Sequence, residues 1–495
     1  MSAKAPLSRR NFLAATGGGM VAASLSLSAG AALAARVATP AGRPRPTPQQ
    51  LAWQREELAM FIHFTVNTFT GREWGDGTES PCIFDPRNLD ARQWARTAKR
   101  CGFGSMVLTA KHHDGFCLWP TRTTEHCVRN SPWRDGKGDV VREFVEACRA
   151  EGLGVGFYVS PWDRNAPTYG QGDAYNNLYI AQLEELLTHY GELVEVWFDG
   201  ANGEGPNGKR QTYDWPRIHG AVRRLQPNAV VFSDAGPDVR WIGNERGEAG
   251  ATCWSMVDPK RVPYAGFDEP WVAEALMQGD PQGSEWRPGE ADVSIRPGWF
   301  WHANENEKVR DPANLMDLYF KSVGRNSKLL LNVPPTAEGL LHDRDVRALE
   351  EFAEARRHLF RRNLLEGASV RASGGNTPAA VLDRADDRHW QAPVGERSGW
   401  TEFELPEPIT FDVLRLEEAI EHGQHIANHR VEAWQEGAWQ TVCWGTTIGN
   451  ARLARFAPCT ASRIRVSVDF AYDTPRLRRV ALYRISPESP SGATR

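Results

Sequence analysis

The sequence predicts a (β/α)8 TIM-like barrel followed by an antiparallel β-sandwich. From residue 59 to about 360, apolar β-rich runs alternate with amphipathic helical stretches. Several of those runs end on a polar, chemically capable residue. Past Arg362 the helical pattern stops, and short alternating strands separated by Gly, Pro, Asp and Asn take over.

In chain order the barrel strands are expected at Met60–Val66, Ser105–Ala110, Gly154–Ser160, Leu193–Phe198, Ala229–Ser233, Ala251–Met256, Gly298–His302 and Lys328–Val333. Helices are expected at Asp90–Cys101, Val140–Glu151, Tyr175–Tyr190, Trp215–Leu225 and Pro312–Val323. The sixth and seventh units are weakly marked, because 257–298 is long, polar and proline-rich. His63 ends the first run, Lys111-His112-His113-Asp114 follows the second, Tyr158 and Trp162 close the third, and Asp199 closes the fourth. Parallel barrels carry their active sites at the C-terminal strand ends, so four such endings in succession mark one mouth.

The sandwich strands are expected at Trp400–Leu405, Phe411–Leu416, Arg430–Trp434, Gln440–Trp444, Ala451–Phe456, Ser462–Val468 and Arg478–Arg484. The domain plan is therefore a barrel over 50–362, a sandwich over 363–486 and a loose tail over 487–495.

Residues 1–35 stand apart. Ser8-Arg9-Arg10-Asn11-Phe12-Leu13 is a twin-arginine pattern, followed by a weakly apolar Gly/Ala/Ser-rich stretch and the small-x-small cleavage form Ala32-Leu33-Ala34. This resembles a Tat export signal, so the mature protein is expected in the periplasm or secreted, with no stable membrane insertion. Residues 36–49, rich in proline and arginine, read as a linker.

Composition narrows the partners. Net charge is −4 with no basic stripe, which argues against nucleic acid. Nineteen tryptophans exceed what a core needs, and indole faces stack on the C–H faces of sugars. The eight cysteines show no Cys-x-x-Cys and no metal-ligand spacing; they read as buried thiols, with a Cys443–Cys459 pairing left open.

Two blocks carry the chemistry. In Val196-Trp197-Phe198-Asp199-Gly200 a carboxylate sits just past an apolar strand, where the backbone fixes its direction, as a nucleophile requires. An Asp-Gly after a strand also serves as a plain turn. In Lys111-His112-His113-Asp114-Gly115-Phe116, paired loop histidines suit hydroxyl binding better than metal ligation, because no matching carboxylate cluster accompanies them.

The barrel resembles glycoside hydrolase family 29, the α-L-fucosidases. The matching pieces run in family order: Phe61-Ile62-His63-Phe64, Arg72-Glu73-Trp74, the Lys111–Phe116 block, Gly156-Phe157-Tyr158-Val159-Ser160, the Val196–Gly200 block and Leu330-Leu331-Asn332-Val333-Pro334-Pro335. The resemblance implies a retaining exo-α-L-fucosidase acting on fucosylated oligosaccharides or glycoconjugates, with no catalytic cofactor and no catalytic metal. It makes Asp199 the nucleophile. It makes His63, His112 and His113 ligands of the fucose hydroxyls, Glu73 and Trp74 a further hydroxyl-binding pair, and Tyr158, Trp197 and Trp301 pocket walls.

The acid/base is assigned to Glu245, within Asp238–Gly247, with Glu290 as the rival. The Asp238–Gly247 and Ser294–His302 segments resemble the subgroup that prefers α-1,3/1,4-linked, branched fucose. The sandwich resembles discoidin-like, galactose-binding-like modules, and Asp383, Asp386 and Asp387 are its candidate ligands for a structural Ca2+. The alternatives are a non-catalytic carbohydrate-binding barrel or a barrel glycosidase for another sugar.

Overall fold

The computed structural model describes residues 42–383 and 388–485; the export signal, the tail, Asp386 and Asp387 lie outside them. Eight parallel strands close the barrel in the order β1-β8-β7-β6-β5-β4-β3-β2. They are β1 Leu58–Ile62, β2 Ser105–Lys111, β3 Gly154–Val159, β4 Glu195–Trp197, β5 Val230–Ser233, β6 Val239–Trp241, β7 Gly289–Ser294 and β8 Ser327–Asn332. The helices are α1 Pro48–Glu56, α2 Ala91–Arg100, α3 Val140–Ala150, α4 Asp173–His189, α5 Trp215–Leu225, α6 Val272–Gln278, α7 Pro312–Lys321 and α8 Asp343–Leu359.

Four barrel helices start the same way. Asp90, Asp139, Asp214 and Asp311 accept hydrogen bonds from the amides of Gln93, Arg142, Arg217 and Asn314. Each such cap contributes about 1 kcal/mol. Lys99 and Arg100, Arg149, Arg223 and Arg224, and Lys321 occupy the last turns, where the helix dipole favours a cation.

Alternation along the strands makes two cores. Outward residues such as Met60, Ile62, Met106 and Leu108 pack under the helices with Trp94, Phe144 and Leu183. Inward residues Ala59, Phe61, Val107, Tyr158, Trp197, Phe232 and Leu330 fill the barrel. Trp53 of α1 belongs to the inner cluster and donates its indole N–H to Glu195, so α1 plugs the N-terminal end.

Two strand expectations are corrected. The sixth strand is Val239–Trp241, reached from β5 through only five residues, Asp234–Asp238, without a helix. The expected Ala251–Met256 strand is mostly irregular; only Met256–Val257 pairs, antiparallel, with Glu285–Trp286 outside the barrel. The seventh strand is Gly289–Ser294, and the expected Gly298–His302 strand is the loop that follows it. β7 points Glu290 and Asp292 inward, so it lacks the apolar signature, and β6 is three residues long with Arg240 in its middle. The barrel also begins at Pro48, two residues inside the expected linker, under a capping box from Thr47 and Gln50.

The C-terminal domain is a seven-stranded antiparallel arrangement around its own core of Phe403, Phe411, Leu414, Val431, Ile464 and Val466. Its strands are β9 Ser369–Ala372, β10 Trp390–Gln391, β11 Gly399–Glu418, β12 Ile426–Gln435, β13 Ala438–Gly445, β14 Arg452–Ala471 and β15 Arg476–Tyr483. Four expected strands merge into the two twenty-residue strands β11 and β14, whose pairing shifts register between Glu404 and Ile409. The first part of β11 pairs with β9 and the second with β15, the arrangement of a sandwich. Its contact with the barrel is both apolar and polar: Ile420 packs with Trp254, Met256 and Trp286, the Asn326 side chain accepts from the Asn450 amide, and the Arg415 guanidinium pairs with Glu57. All eight cysteines are free, so Cys443 and Cys459 are not paired. No helix of the described residues is long and apolar enough to cross a membrane.

Candidate active site

The mouth of the barrel holds a carboxylate inside a ring of histidines. Asp199 follows β4 and is 8% exposed. Its Oδ1 accepts from the Ala201 amide at 2.8 Å and its Oδ2 from the Tyr158 hydroxyl at 3.1 Å. His113 Nε2 stands 3.9 Å from the same Oδ2. Gly200 leaves room for the Asp234 carboxylate, which a Cβ at this position would displace.

A break in strand alternation delivers the two adjacent histidines. The β2–β3 pairing shifts register between Thr109 and Lys111. Lys111 then turns away from the mouth into a buried nest, bonding Asp163 at 3.0 Å and Gln182 at 2.9 Å, with the Tyr179 ring 5.0 Å away. That anchored lysine sets the chain direction for His112 and His113, whose rings lie 4.2 Å apart.

Hydrogen bonds fix two of the tautomers. The Asn332 amide donates to the Trp299 carbonyl at 2.8 Å, so its Oδ1 faces His63 and accepts from Nδ1 at 2.9 Å. The Ser160 hydroxyl donates to the Trp162 carbonyl and accepts from His113 Nδ1, each at 2.7 Å. His63, neutral and with its Nδ1 proton committed to Asn332, therefore presents an Nε2 lone pair. Burial pushes His63 down to about 3 and His112 well below the usual imidazole value, so both are neutral at ordinary pH.

The floor is aromatic. Tyr158 stacks on Trp197 at 5.2 Å, and Trp197 on Phe232 at 4.1 Å. Trp197 is fully buried, so it supports the floor rather than forming a wall. Below it the Trp197 N–H donates to Glu290 Oε1 at 2.8 Å.

Glu290 is thus not at the mouth, which corrects its candidacy as acid/base. It is buried inside the barrel next to Glu195 and Lys328. Burial, reinforced by Glu195, raises its carboxyl well above the usual range.

Glu245 is at the rim, half-buried, with Oε2 3.4 Å from the Trp299 indole nitrogen. Trp299 also packs against His63, ring centroids 5.0 Å apart. Its loop is held by Glu73, which accepts from the Trp299 amide at 2.7 Å and meets His302 Nε2 at 2.6 Å. Gly298 makes that approach feasible, since a Cβ there would strike the Glu73 carboxylate. Trp74 is 37% exposed and abuts Trp162, which lies against His113. Trp301 is on the same loop as Trp299, half-buried, with its indole N–H buried and without a protein partner.

An Asp-centred pocket with neutral imidazoles, an aromatic floor and a rim carboxylate suits hydrolysis of a small polyhydroxylated ring. A family model for α-L-fucosidases matches residues 52–355. The chain belongs to the α-L-fucosidase family. It is 46% identical over 452 residues to α-L-fucosidase 1 of Arabidopsis thaliana, covering 89% of this chain and 87% of that one. An α-L-fucosidase of Dictyostelium discoideum is 30% identical over 285 residues, 54% of each chain. A solved structure of a Ruminococcus gnavus family 29 fucosidase in complex with fucose superposes with a TM-score of 0.83 at 34% identity, covering 90% of this chain and 97% of that one. The protein is a glycoside hydrolase of the α-L-fucosidase type.

Within this fucosidase, sequence reasoning named Asp199, His63, His112, His113, Glu73, Glu245 and Tyr158, and all of them meet at the mouth. It missed roles for Asn332, Ser160, Trp299 and Phe300. Phe300 packs on both His63 and His112, at 5.5 and 5.1 Å. Asn332 did leave a signal, a lone amide inside the apolar run Leu329–Val333. Asp383, the one described member of the calcium set, pairs with Arg388 at 3.3 Å.

Proposed function

We propose that the enzyme is a retaining exo-α-L-fucosidase that removes terminal α-1,3- or α-1,4-linked L-fucose, with Asp199 as nucleophile and Glu245 as acid/base. The observation that carries the reading is Asp199 itself: both oxygens are oriented, by Tyr158 and the Ala201 amide, in a nearly dry ring of histidines of which His63 and His112 are neutral. Glu245 reaches the rim of that ring through Trp299. Retaining hydrolysis uses two carboxyl groups about 5–5.5 Å apart. Asp199 attacks C1 while Glu245 protonates the departing oxygen, forming a fucosyl ester. Glu245 then takes a proton from water, which attacks C1 and releases fucose in its original configuration. The lone pair of His63 accepts from a sugar hydroxyl, and the aromatic floor receives the apolar side of the 6-deoxy ring.

The test is the first anomer formed, followed by NMR on an aryl α-L-fucoside. Release of β-L-fucose first would refute retention. Asp199→Ala should abolish turnover, with azide restoring part of it. Glu245→Ala should slow an α-1,3/1,4-fucosylated branched trisaccharide about 10²- to 10⁴-fold, and an activated aryl fucoside far less. Faster cleavage of an α-1,2-linked substrate would overturn the linkage. Twin-arginine export belongs to the same reading; retention in the cytoplasm with an intact Met1 would count against it. So does calcium in the sandwich; unchanged thermal stability on adding calcium to chelator-treated protein would count against that.

A further inference from the structure

A second cluster of ligand-type side chains lies on the sandwich, far from the barrel mouth. His389 immediately precedes β10, while Glu421 and His422 sit on the short turn Ile420–His422 after β11. One potential ligand atom from each lies within 4.8 Å of the other two, and among the described residues no other trio of His, Cys, Asp or Glu does this. The two imidazole rings face one another with centroids 5.0 Å apart. His389 Nδ1 is buried and has no hydrogen-bond partner. A buried polar atom without a partner is costly, so something that fills its valence is favoured there.

We propose that His389, Glu421 and His422 form a binding site for a zinc-class divalent metal ion. The donor set decides the class. Two imidazole nitrogens and one carboxylate suit Zn2+, Ni2+ or Co2+, whereas Ca2+ takes six to eight oxygens. Ligand atoms around a tetrahedral Zn2+ sit about 3.3 Å apart, given bonds of about 2.0–2.1 Å. Half-buried side chains close the remaining distance by small χ rotations. Three protein ligands leave the fourth position to water.

The position gives the site a structural consequence. Glu421 Oε2 also pairs with Arg55 of α1 at 3.3 Å, and Ile420 beside it packs with Trp254, Met256 and Trp286 of the barrel. A metal here ties the β10 segment of the sandwich to the turn that abuts α1, the helix plugging the N-terminal end of the barrel. Arg45 and Arg476 lie close enough to oppose a cation, and Glu421 opposes them.

The test uses the tag-free full-length chain, stripped with chelator. Zn2+ is titrated calorimetrically and Co2+ by its visible absorption. One equivalent should bind, raise Tm by about 2–4 °C at saturation, and give Co2+ bands of a four- or five-coordinate site. His389→Ala and His422→Ala should each weaken binding at least tenfold while keeping the Tm of metal-free wild type. Hydrolysis of an aryl fucoside should stay unchanged. Absence of Zn2+ binding, binding undiminished in the His389→Ala/His422→Ala double variant, or binding of Ca2+ in its place would each overturn the proposal. If His389→Ala failed to fold, His422→Ala alone decides between loss and persistence of the site.

Discussion

Glu73 is the residue whose removal discriminates most sharply between binding sugar and shaping the pocket. The family resemblance makes it a hydroxyl ligand, but its two oxygens hold the Trp299 amide at 2.7 Å and His302 Nε2 at 2.6 Å. Trp299 in turn abuts His63 and reaches Glu245. Glu73→Ala therefore frees the loop that positions both Glu245 and His63. Buried hydrogen bonds to a charged group contribute about 1.5–3 kcal/mol each. The side chains of Glu73 and His302 are 28% and 17% exposed, so roughly half of that applies, or about 1.5–3 kcal/mol for the pair. That corresponds to a loss of about 10- to 150-fold in kcat/KM. The assay is steady-state hydrolysis of an aryl fucoside and of a branched trisaccharide, with Tm as the folding control. As a loop brace, Glu73 should affect kcat as well as KM, and Glu73→Gln, which keeps one carbonyl acceptor for the Trp299 amide, should fall between. A raised KM with unchanged kcat would mean Glu73 acts on the sugar alone. A kcat/KM within threefold of wild type would refute the bracing argument altogether.

Two further predictions concern buried carboxyl groups. Glu290→Gln keeps an oxygen for the Trp197 N–H and mimics a protonated acid, so kcat/KM should stay within about fivefold, whereas loss of trisaccharide turnover would return Glu290 to the acid/base role. Asp114, buried and raised to about 7, keeps its proton in the folded state after the unfolded chain has released it near pH 4. Wild-type stability should therefore fall relative to Asp114→Asn by up to about 1.4 kcal/mol per pH unit from pH 4 to 7, and not beyond; a flat difference in Tm across that window would contradict it.

The parts of the fold legible in sequence were those whose period was clean. β1 to β5 and β8 are apolar runs, and α2, α3, α5 and α7 begin at an Asp cap that local sequence displays. β6 and β7 escaped because both spend polar side chains: on the outer face Arg240 bonds backbone carbonyls including that of Trp254, and in the barrel interior Glu290 holds Trp197 and Asp292 holds Trp241 at 2.6 Å. Each is satisfied only by residues distant in sequence, so no local pattern marks it. The catalytic candidates were legible for the opposite reason. Asp199 and the His112–His113 pair sit at strand ends, where a polar residue after an apolar run stands out. Their supports, Asn332, Ser160 and Trp299, act through contacts between strands and left weaker marks.

The barrel keeps two sets of carboxyl groups at different heights and in different states of need. Asp199, in the upper layer, has its oxygens oriented by the hydrogen bonds from Tyr158 and Ala201. Glu290, one aromatic layer lower, shares a dry space with Glu195 and Lys328, and burial favours its protonated form. Lys328 bonds Glu56 at 2.8 Å, so a single cation serves several acids, which is why they cannot all ionise together. Trp197 separates the two layers, bonded below to Glu290 and stacked above on Tyr158, which donates to Asp199. The stack thus suppresses charge at Glu290, where only the floor must be held in place. A substitution at Glu290 is thus felt at Asp199 only through the tilt of Trp197 and Tyr158, and so as a change in geometry, not in the number of ionisable groups at the mouth.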